Sequence, residues 1–400
     1  MEKSKPQRKK ILIDYLKKYH KEYELDELKK KILKTGYSEE EVDEAIKTLD
    51  LKDKKSSIKK FFEDKKISLI HSKDDDSKKP DAKQIKECSK ILKTMKKEIG
   101  KVVIGQEQII DSLLGALLCD GHVLLEGVPG IAKTLSIKSL AEVSGCASKR
   151  IQFTVDLLPT DIVGLTTYTP KKGFEIVKGP IFANFVIADE INRSPPKTQS
   201  ALIEAMQEKQ VTIGKETFKL PLPFFVMATE NPLETGGVYT LPEAQIDRFL
   251  FKIIMGYPDI EDENIIMSQN TTLKKFEDFK LTPLTTPEKI VEMQELTKKI
   301  YLSEKIRQYI LRIIELTRTK ELDHGEYIEW GASPRASIAL FICSKARALM
   351  QGRNFVVPGD VKDSVHEVLR HRVILSYKAR VERIDSDAII KEILKKVKIP

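Results

Sequence analysis

Cysteine is scarce in this chain of 400 residues: Cys88, Cys119, Cys146 and Cys343 stand far apart, without C-x-x-C spacing. That pattern excludes a disulfide framework and a zinc knuckle, and it points to a reducing compartment. Apolar runs approaching the ~20 residues of a membrane span are missing too. The start, Met-Glu-Lys-Ser-Lys-Pro-Gln-Arg-Lys-Lys, lacks the apolar segment of a secretory signal. A cytoplasmic protein with no membrane span is expected. No tandem repeat and no metal-binding cluster stands out. A polybasic tract is also wanting: Lys+Arg 69 against Asp+Glu 60 leaves +9, with the bases interleaved among acids. Such a pattern describes a solvated mixed-charge surface better than a nucleic-acid footprint.

What is present suits a soluble chain of two or three domains, 41% hydrophobic and 32% charged. Residues 1–50 read as a small helical unit, with helices near 9–20, 26–35 and 39–49. Ser38 and Glu41 have capping-box spacing ahead of a Val42, Ala45, Ile46, Leu49 face. Residues 51–84, with Lys-Asp-Asp-Asp-Ser-Lys-Lys-Pro, read as a charged linker. From 85 to 260 short apolar strands at 122–125, 151–154, 185–188 and 224–228 alternate with helices, the mark of a parallel α/β sheet. Residues 261–400 form a second domain whose pattern becomes purely helical after about 285. Helix starts are expected at Thr286-Pro287-Glu288, Ser333-Pro334-Arg335, Asp360-Val-Lys-Asp363 and Ser386-Asp387.

The most informative stretch is Gly127, Val128, Pro129, Gly130, Ile131, Ala132, Lys133 and Thr134, followed by Leu135 and a helical pattern. Strand, glycine-containing loop, Lys-Thr and helix make a phosphate-binding loop, with backbone N–H groups and a helix N-terminus facing anionic oxygens. Lys133 is expected on the β- and γ-phosphates, and Thr134 on Mg²⁺. Ala132 stands where the pattern has its second glycine, which is tolerable if the residue already lies in the first helical turn. Phe185-Val-Ile-Ala-Asp189-Glu190 places two carboxylates at a strand's carboxyl end. Asp189 suits the Mg²⁺ shell, and Glu190 suits activation of the attacking water. Phe224-Phe-Val-Met-Ala-Thr-Glu-Asn231-Pro delivers a polar amide just past a third strand.

Residues from about 95 to 378 resemble the MoxR family of AAA+ ATPases. Beyond the loop, the matching blocks are Phe153-Thr-Val-Asp-Leu-Leu-Pro-Thr-Asp-Ile, the stretch from Gly179 through Asp189-Glu190 to Arg193, and Pro195-Pro-Lys-Thr-Gln-Ser-Ala-Leu-Ile-Glu-Ala-Met-Gln-Glu. Leu241-Pro-Glu-Ala-Gln-Ile-Asp-Arg-Phe and Gly331-Ala-Ser-Pro-Arg-Ala complete the set. The resemblance implies a parallel-sheet P-loop NTPase core, an all-helical lid, and ATP with Mg²⁺. It matches Asn231 to a γ-phosphate sensor, Arg248 to an arginine finger acting in trans, and Arg335 to a second sensor. A trans finger implies a homo-oligomeric ring, expected to be a hexamer. Val103, Ile104 and Gln106 resemble the segment near adenine. Hairpins are expected at 164–179 and at 210–221, the second turning at Gly214, facing a pore or partner. Position 230 departs, with Glu where the family more often has Gln. The implied activity is ATP-driven remodelling or activation of a protein client, often with a partner containing a von Willebrand factor A domain. A nucleic-acid motor and a non-hydrolysing ATP-dependent scaffold are the alternatives.

Overall fold

The computed structural model describes residues 81–232, 237–269 and 276–400, together with Val42 and Ala45. The expected N-terminal helices, Val42 and Ala45 apart, and the linker up to residue 80 therefore lie outside the described residues. Lys79–Pro400 forms one compact unit, and everything that follows belongs to it.

The unit opens earlier than the composition shift implied. Helix α1, Ala82–Ile99, starts where Asp81 accepts a hydrogen bond from the Lys83 N–H at 3.0 Å. It buries Ile85, Cys88, Leu92, Met95 and Ile99, one stripe at helical spacing. Helix α2, Glu107–Leu118, is buried along nearly its whole length.

Five parallel strands form the central sheet. They are β1 (Val123–Gly127), β2 (Ser148–Gln152), β5 (Phe185–Asp189), β8 (Phe225–Glu230) and β9 (Phe251–Met255), in the order β2-β5-β8-β1-β9. Registers such as Phe185↔Phe225 and Val123↔Met227 bring the carboxyl ends of β1, β5 and β8 level. Ligands of open parallel sheets bind at such an edge. Strand β9 was not among the expected strands. It is an edge strand whose buried residues alternate with the less buried Lys252 and Ile254, so it shows no compact apolar run. Helix α3 (Lys133–Val143) follows β1. Helices α4 (Pro159–Val163) and α5 (Pro196–Glu208) contribute to a second hydrophobic cluster around Phe153, Ile162, Leu202 and Phe224.

Both hairpins form. Strands β3 (Gly164–Thr169) and β4 (Gly173–Lys178) pair from Gly164↔Lys178 to Thr169↔Gly173, and β6 (Gln210–Ile213) pairs with β7 (Glu216–Lys219). Gly164 is needed at the first: φ is 104°, and a Cβ there would collide with the Val177 carbonyl. After the short helix α6 (Glu243–Ile246) and β9 comes α7 (Ile260–Gln269). The C-terminal part is built on α8 (Pro287–Lys299), α9 (Glu304–Thr319), α10 (Pro334–Met350), α11 (Pro358–Leu369), α12 (Tyr377–Val381) and α13 (Ser386–Lys396). Thr286 and Ser333 cap α8 and α10 as expected. Helix α11 begins two residues before Asp360, because Pro358 occupies its first turn and the Asp360 carboxylate accepts from the Val357 N–H at 2.8 Å. A two-stranded ribbon, β10 (Ile328–Trp330) with β11 (Ile374–Leu375), interrupts what the pattern presented as helices alone. Among the described residues no helix is long and apolar enough to cross a membrane.

Candidate functional site

Strand β1 ends at Gly127, and the chain turns through residues 128–132 into α3. Gly130 sits exposed at φ 86°, the left-handed backbone that glycine adopts freely. Ala132 adopts φ 68°, ψ 22°, the left-handed region, immediately before the helix. The expectation that it lies within the first helical turn is wrong. The position has the backbone that the motif's glycine provides freely, and alanine holds it at about 1–2 kcal/mol of strain. Lys133 Nζ donates to the Gly127 carbonyl at 2.6 Å and to the Glu230 carbonyl at 3.1 Å, which holds the ammonium between the ends of β1 and β8.

Asp189 closes β5 and is buried. Thr134 Oγ1 lies 3.4 Å from Asp189 Oδ2, while Thr229 Oγ1, from the adjacent β8, donates to Asp189 Oδ1 at 2.6 Å. Arg150, reaching over from β2, donates to Oδ2 from Nε at 3.0 Å and Nη2 at 2.6 Å. Glu190 leaves the strand at φ 57°, ψ 52°, a left-handed kink that turns its side chain out of the sheet's alternation. Its N–H donates to Thr229 Oγ1 at 2.9 Å. Its carboxylate accepts from Gln152 Nε2 at 2.7 Å and meets Arg193 Nε at 3.2 Å. Asn231 follows β8 directly and is buried. Thr229, Arg150 and Gln152 escaped the sequence reading. Their proximity follows from the strand order β2-β5-β8; Thr229 comes near the end of an apolar run, whereas Arg150 and Gln152 sit in a strand that is polar apart from Ile151.

Thr134 and Asp189 offer the sparse pair of protein oxygens that Mg²⁺ uses when phosphate oxygens complete its shell, so the residues present fit that ion. Glu230 lies beside Glu126 in register. Burial pushes its carboxyl up to about 7; Lys252 and Lys133 pull against the rise, and Glu126 adds to it.

Beyond the loop lies a cleft of about 400 Å³. Val102, Ile104 and Gln106 line one side, Pro129, Gly130, Ile131, Ala132 and Leu135 the floor, and Tyr257, Pro258, Glu263, Ile266, Phe276 and Phe279 the remainder. Gln106 Nε2 donates to the Gly256 carbonyl at 3.2 Å. A mostly apolar slot with a few polar groups suits a purine. Val103 does not line it: both Val102 and Val103 belong to the hydrophobic core, and of the two only Val102 also lines the cleft. Tyr257 and Phe279 come from the chain after β9, and nothing nearby in sequence announced them.

Two arginines stand apart from the acids. Arg248 lies between α6 and β9, and its Nε is buried without a hydrogen-bond partner. Arg335, in the first turn of α10, donates from Nη1 to Asp247 Oδ2 at 3.3 Å.

Residues 122–251 match the ATPase family associated with various cellular activities (AAA), and residues 320–393 match the AAA lid domain. Chaperone MoxR1 of Mycobacterium tuberculosis is 44% identical over 309 residues, spanning 76% of this chain and 81% of its own. Protein MoxR of Paracoccus denitrificans is 28% identical over 305 residues, 71% of this chain and 89% of its own. Among solved structures, a candidate ATPase from Cytophaga hutchinsonii superposes with a TM-score of 0.74 at 44% identity, covering 80% of this chain and 97% of that one. Nucleotide-loop geometry, sheet order, lid and these likenesses agree: the chain belongs to the MoxR family of AAA ATPases.

Proposed function

We propose that this chain hydrolyses ATP with Mg²⁺ as part of a ring of identical subunits, and that the cycle remodels or activates a protein client in the cytoplasm. One observation carries the proposal: Lys133, Thr134, Asp189 and Glu190 converge at the carboxyl ends of β1, β5 and β8. The backbone of residues 127–132 and the N-terminus of α3 receive the phosphates, and Lys133 exchanges its two carbonyl partners for phosphate oxygens. Thr134 and Asp189 would hold Mg²⁺, which would supply neutralisation of charge on the phosphate oxygens. Glu190 orients and deprotonates the attacking water, with Gln152 and Arg193 fixing its carboxylate. Asn231 senses the γ-phosphate, Arg335 touches the nucleotide of its own subunit, and Arg248 reaches that of the neighbour. The 400 Å³ cleft takes the adenine.

The β3–β4 hairpin carries the output. Near its turn Tyr168 and Phe174 are 65% and 79% exposed, their rings 5.2 Å apart. A solvent-exposed aromatic pair suits an apolar segment of a client, delivered by a partner with a von Willebrand factor A domain. The same aromatics beside Lys171 and Lys172 favour a second reading, a nucleic-acid motor. Lys172, however, is paired with Glu175 at 3.3 Å, which leaves little positive charge at the turn. ATP turnover per subunit, measured across protein concentration with the mass determined in ATP, tests the proposal. Turnover rises with assembly if the site is completed in trans; turnover by a monomer at every concentration contradicts it. Stimulation by single-stranded DNA but not by an unfolded protein favours the motor.

A further inference from the structure

Three consecutive residues after α11 close on the segment that carries Arg248. Arg370 Nη1 donates to the Lys252 carbonyl at 2.9 Å. His371 Nε2 lies 3.1 Å from the Phe249 carbonyl, which requires the Nε2–H tautomer. Arg372 does most. Its Nε donates to Asp247 Oδ1 at 2.8 Å, Nη2 to the carbonyls of Asp247 at 3.0 Å and Phe249 at 2.6 Å, and Nη1 to the Leu250 carbonyl at 3.0 Å. A further bond from Nη1 to the Val368 carbonyl, at 2.6 Å, ties it to its own helix. The Arg372 side chain is only 3% exposed.

One guanidinium thus holds the backbone on both sides of Arg248 while leaving Arg248 itself out. The planar fork offers five N–H donors in fixed directions, so rotating α11 drags these acceptors or leaves them unsatisfied in a buried place. Such a loss is expensive for a carbonyl and more so for a carboxylate. Asp247, the residue before Arg248, is also held by Ser333 Oγ at 3.0 Å and by Arg335, both at the start of α10. The segment is therefore gripped by two lid helices at once.

We propose that Arg372 is the positioning residue for Arg248. It fastens residues 247–250 to the lid, so that the lid's orientation sets where Arg248 projects into the neighbouring subunit's site. This rests on the reading of Arg248 as a trans-acting arginine. It makes lid movement in one subunit a control on hydrolysis in the next.

The test uses mixed assemblies of the full chain. Subunits carrying Glu190→Gln have silenced sites and contribute to a wild-type neighbour only what they present in trans. Wild-type protein is mixed with an excess of Glu190→Gln, of Glu190→Gln/Arg248→Ala, or of Glu190→Gln/Arg372→Lys, and turnover is read alongside assembly mass and binding of a fluorescent ATP analogue. The Arg372→Lys mixture is expected to fall to the level of the Arg248→Ala mixture, about tenfold or more below Glu190→Gln alone, with mass and analogue binding unchanged. Adding Arg372→Lys to Arg248→Ala subunits is expected to lower turnover no further, which a merely structural role would do. If Arg372→Lys does not assemble, Asp247→Asn loosens the same grip with nearly the same shape and carries the same expectation. An Arg248→Ala effect without an effect of Arg372→Lys or Asp247→Asn overturns the positioning role alone. Absence of an Arg248→Ala effect overturns the trans reading, and the positioning role with it.

Discussion

Thr229 Oγ1 donates to Asp189 Oδ1 at 2.6 Å and itself accepts the N–H of Glu190 at 2.9 Å. One side chain on β8 thus holds both acids that end β5. Thr229→Val keeps the shape and removes both bonds, leaving a buried carboxylate oxygen and a strained N–H without their partner. Each such loss costs about 1–3 kcal/mol. The expected outcome is a kcat lowered by roughly ten- to a hundredfold with ATP affinity changed much less, read from steady-state kinetics and analogue binding. Unchanged kcat would mean that the kink at Glu190 holds without Thr229.

Ala132→Gly tests the left-handed backbone at that position. Glycine removes strain of about 1–2 kcal/mol and gives back part of it through a freer unfolded chain, so a net gain of up to about 1 kcal/mol is expected. The melting temperature rises by about 2–4 °C. A helix-interior position would instead lose about 1 kcal/mol, and a fall in melting temperature would support that placement.

Glu230 carries a pH signature. Its folded carboxyl titrates near 7 while the unfolded one titrates in the ordinary range, so the native state holds an extra proton between the two. The stabilisation from this group is complete below the unfolded value and is lost as pH rises through about 7. Glu230→Gln removes that loss. Its melting temperature is expected to exceed the wild type's by a few degrees near pH 8, about 2–4 °C per kcal/mol, and the difference shrinks toward pH 5. A pH-independent difference would mean that Glu230 is ionised throughout.

How much of this could be read beforehand follows from which interactions are local. Strands β1, β5 and β8 were legible because both faces are covered and their apolar residues run together. Strand β9 was not, since Lys252 interrupts its apolar residues and sends Nζ 2.6 Å to Glu126 on β1. The caps of α8 and α10 were visible as Thr286 and Ser333, each followed by proline. At α11 the residue before the helix, Val357, has no side-chain oxygen, and Pro358 was the sign to follow. Lys133, Thr134, Asp189 and Glu190 stood out as candidates from spacing along single strands and turns. Arg150, Gln152, Thr229 and Arg372 reach the site from other strands or from the lid, and no spacing within one segment encodes those approaches.

In the proposed cycle Glu190 drives hydrolysis at a site that binds ATP through other residues. Glu190→Gln keeps the side chain's size and its capacity to meet Gln152 and Arg193, and it removes the base. Steady-state turnover of the wild type and of Glu190→Gln, each paired with ATP binding on the same assembled sample, is the direct measurement. The expected result is turnover by the wild type, turnover reduced by about a hundredfold or more in Glu190→Gln, and binding retained in both. Equal turnover in the two proteins, or binding without turnover in either, would contradict it.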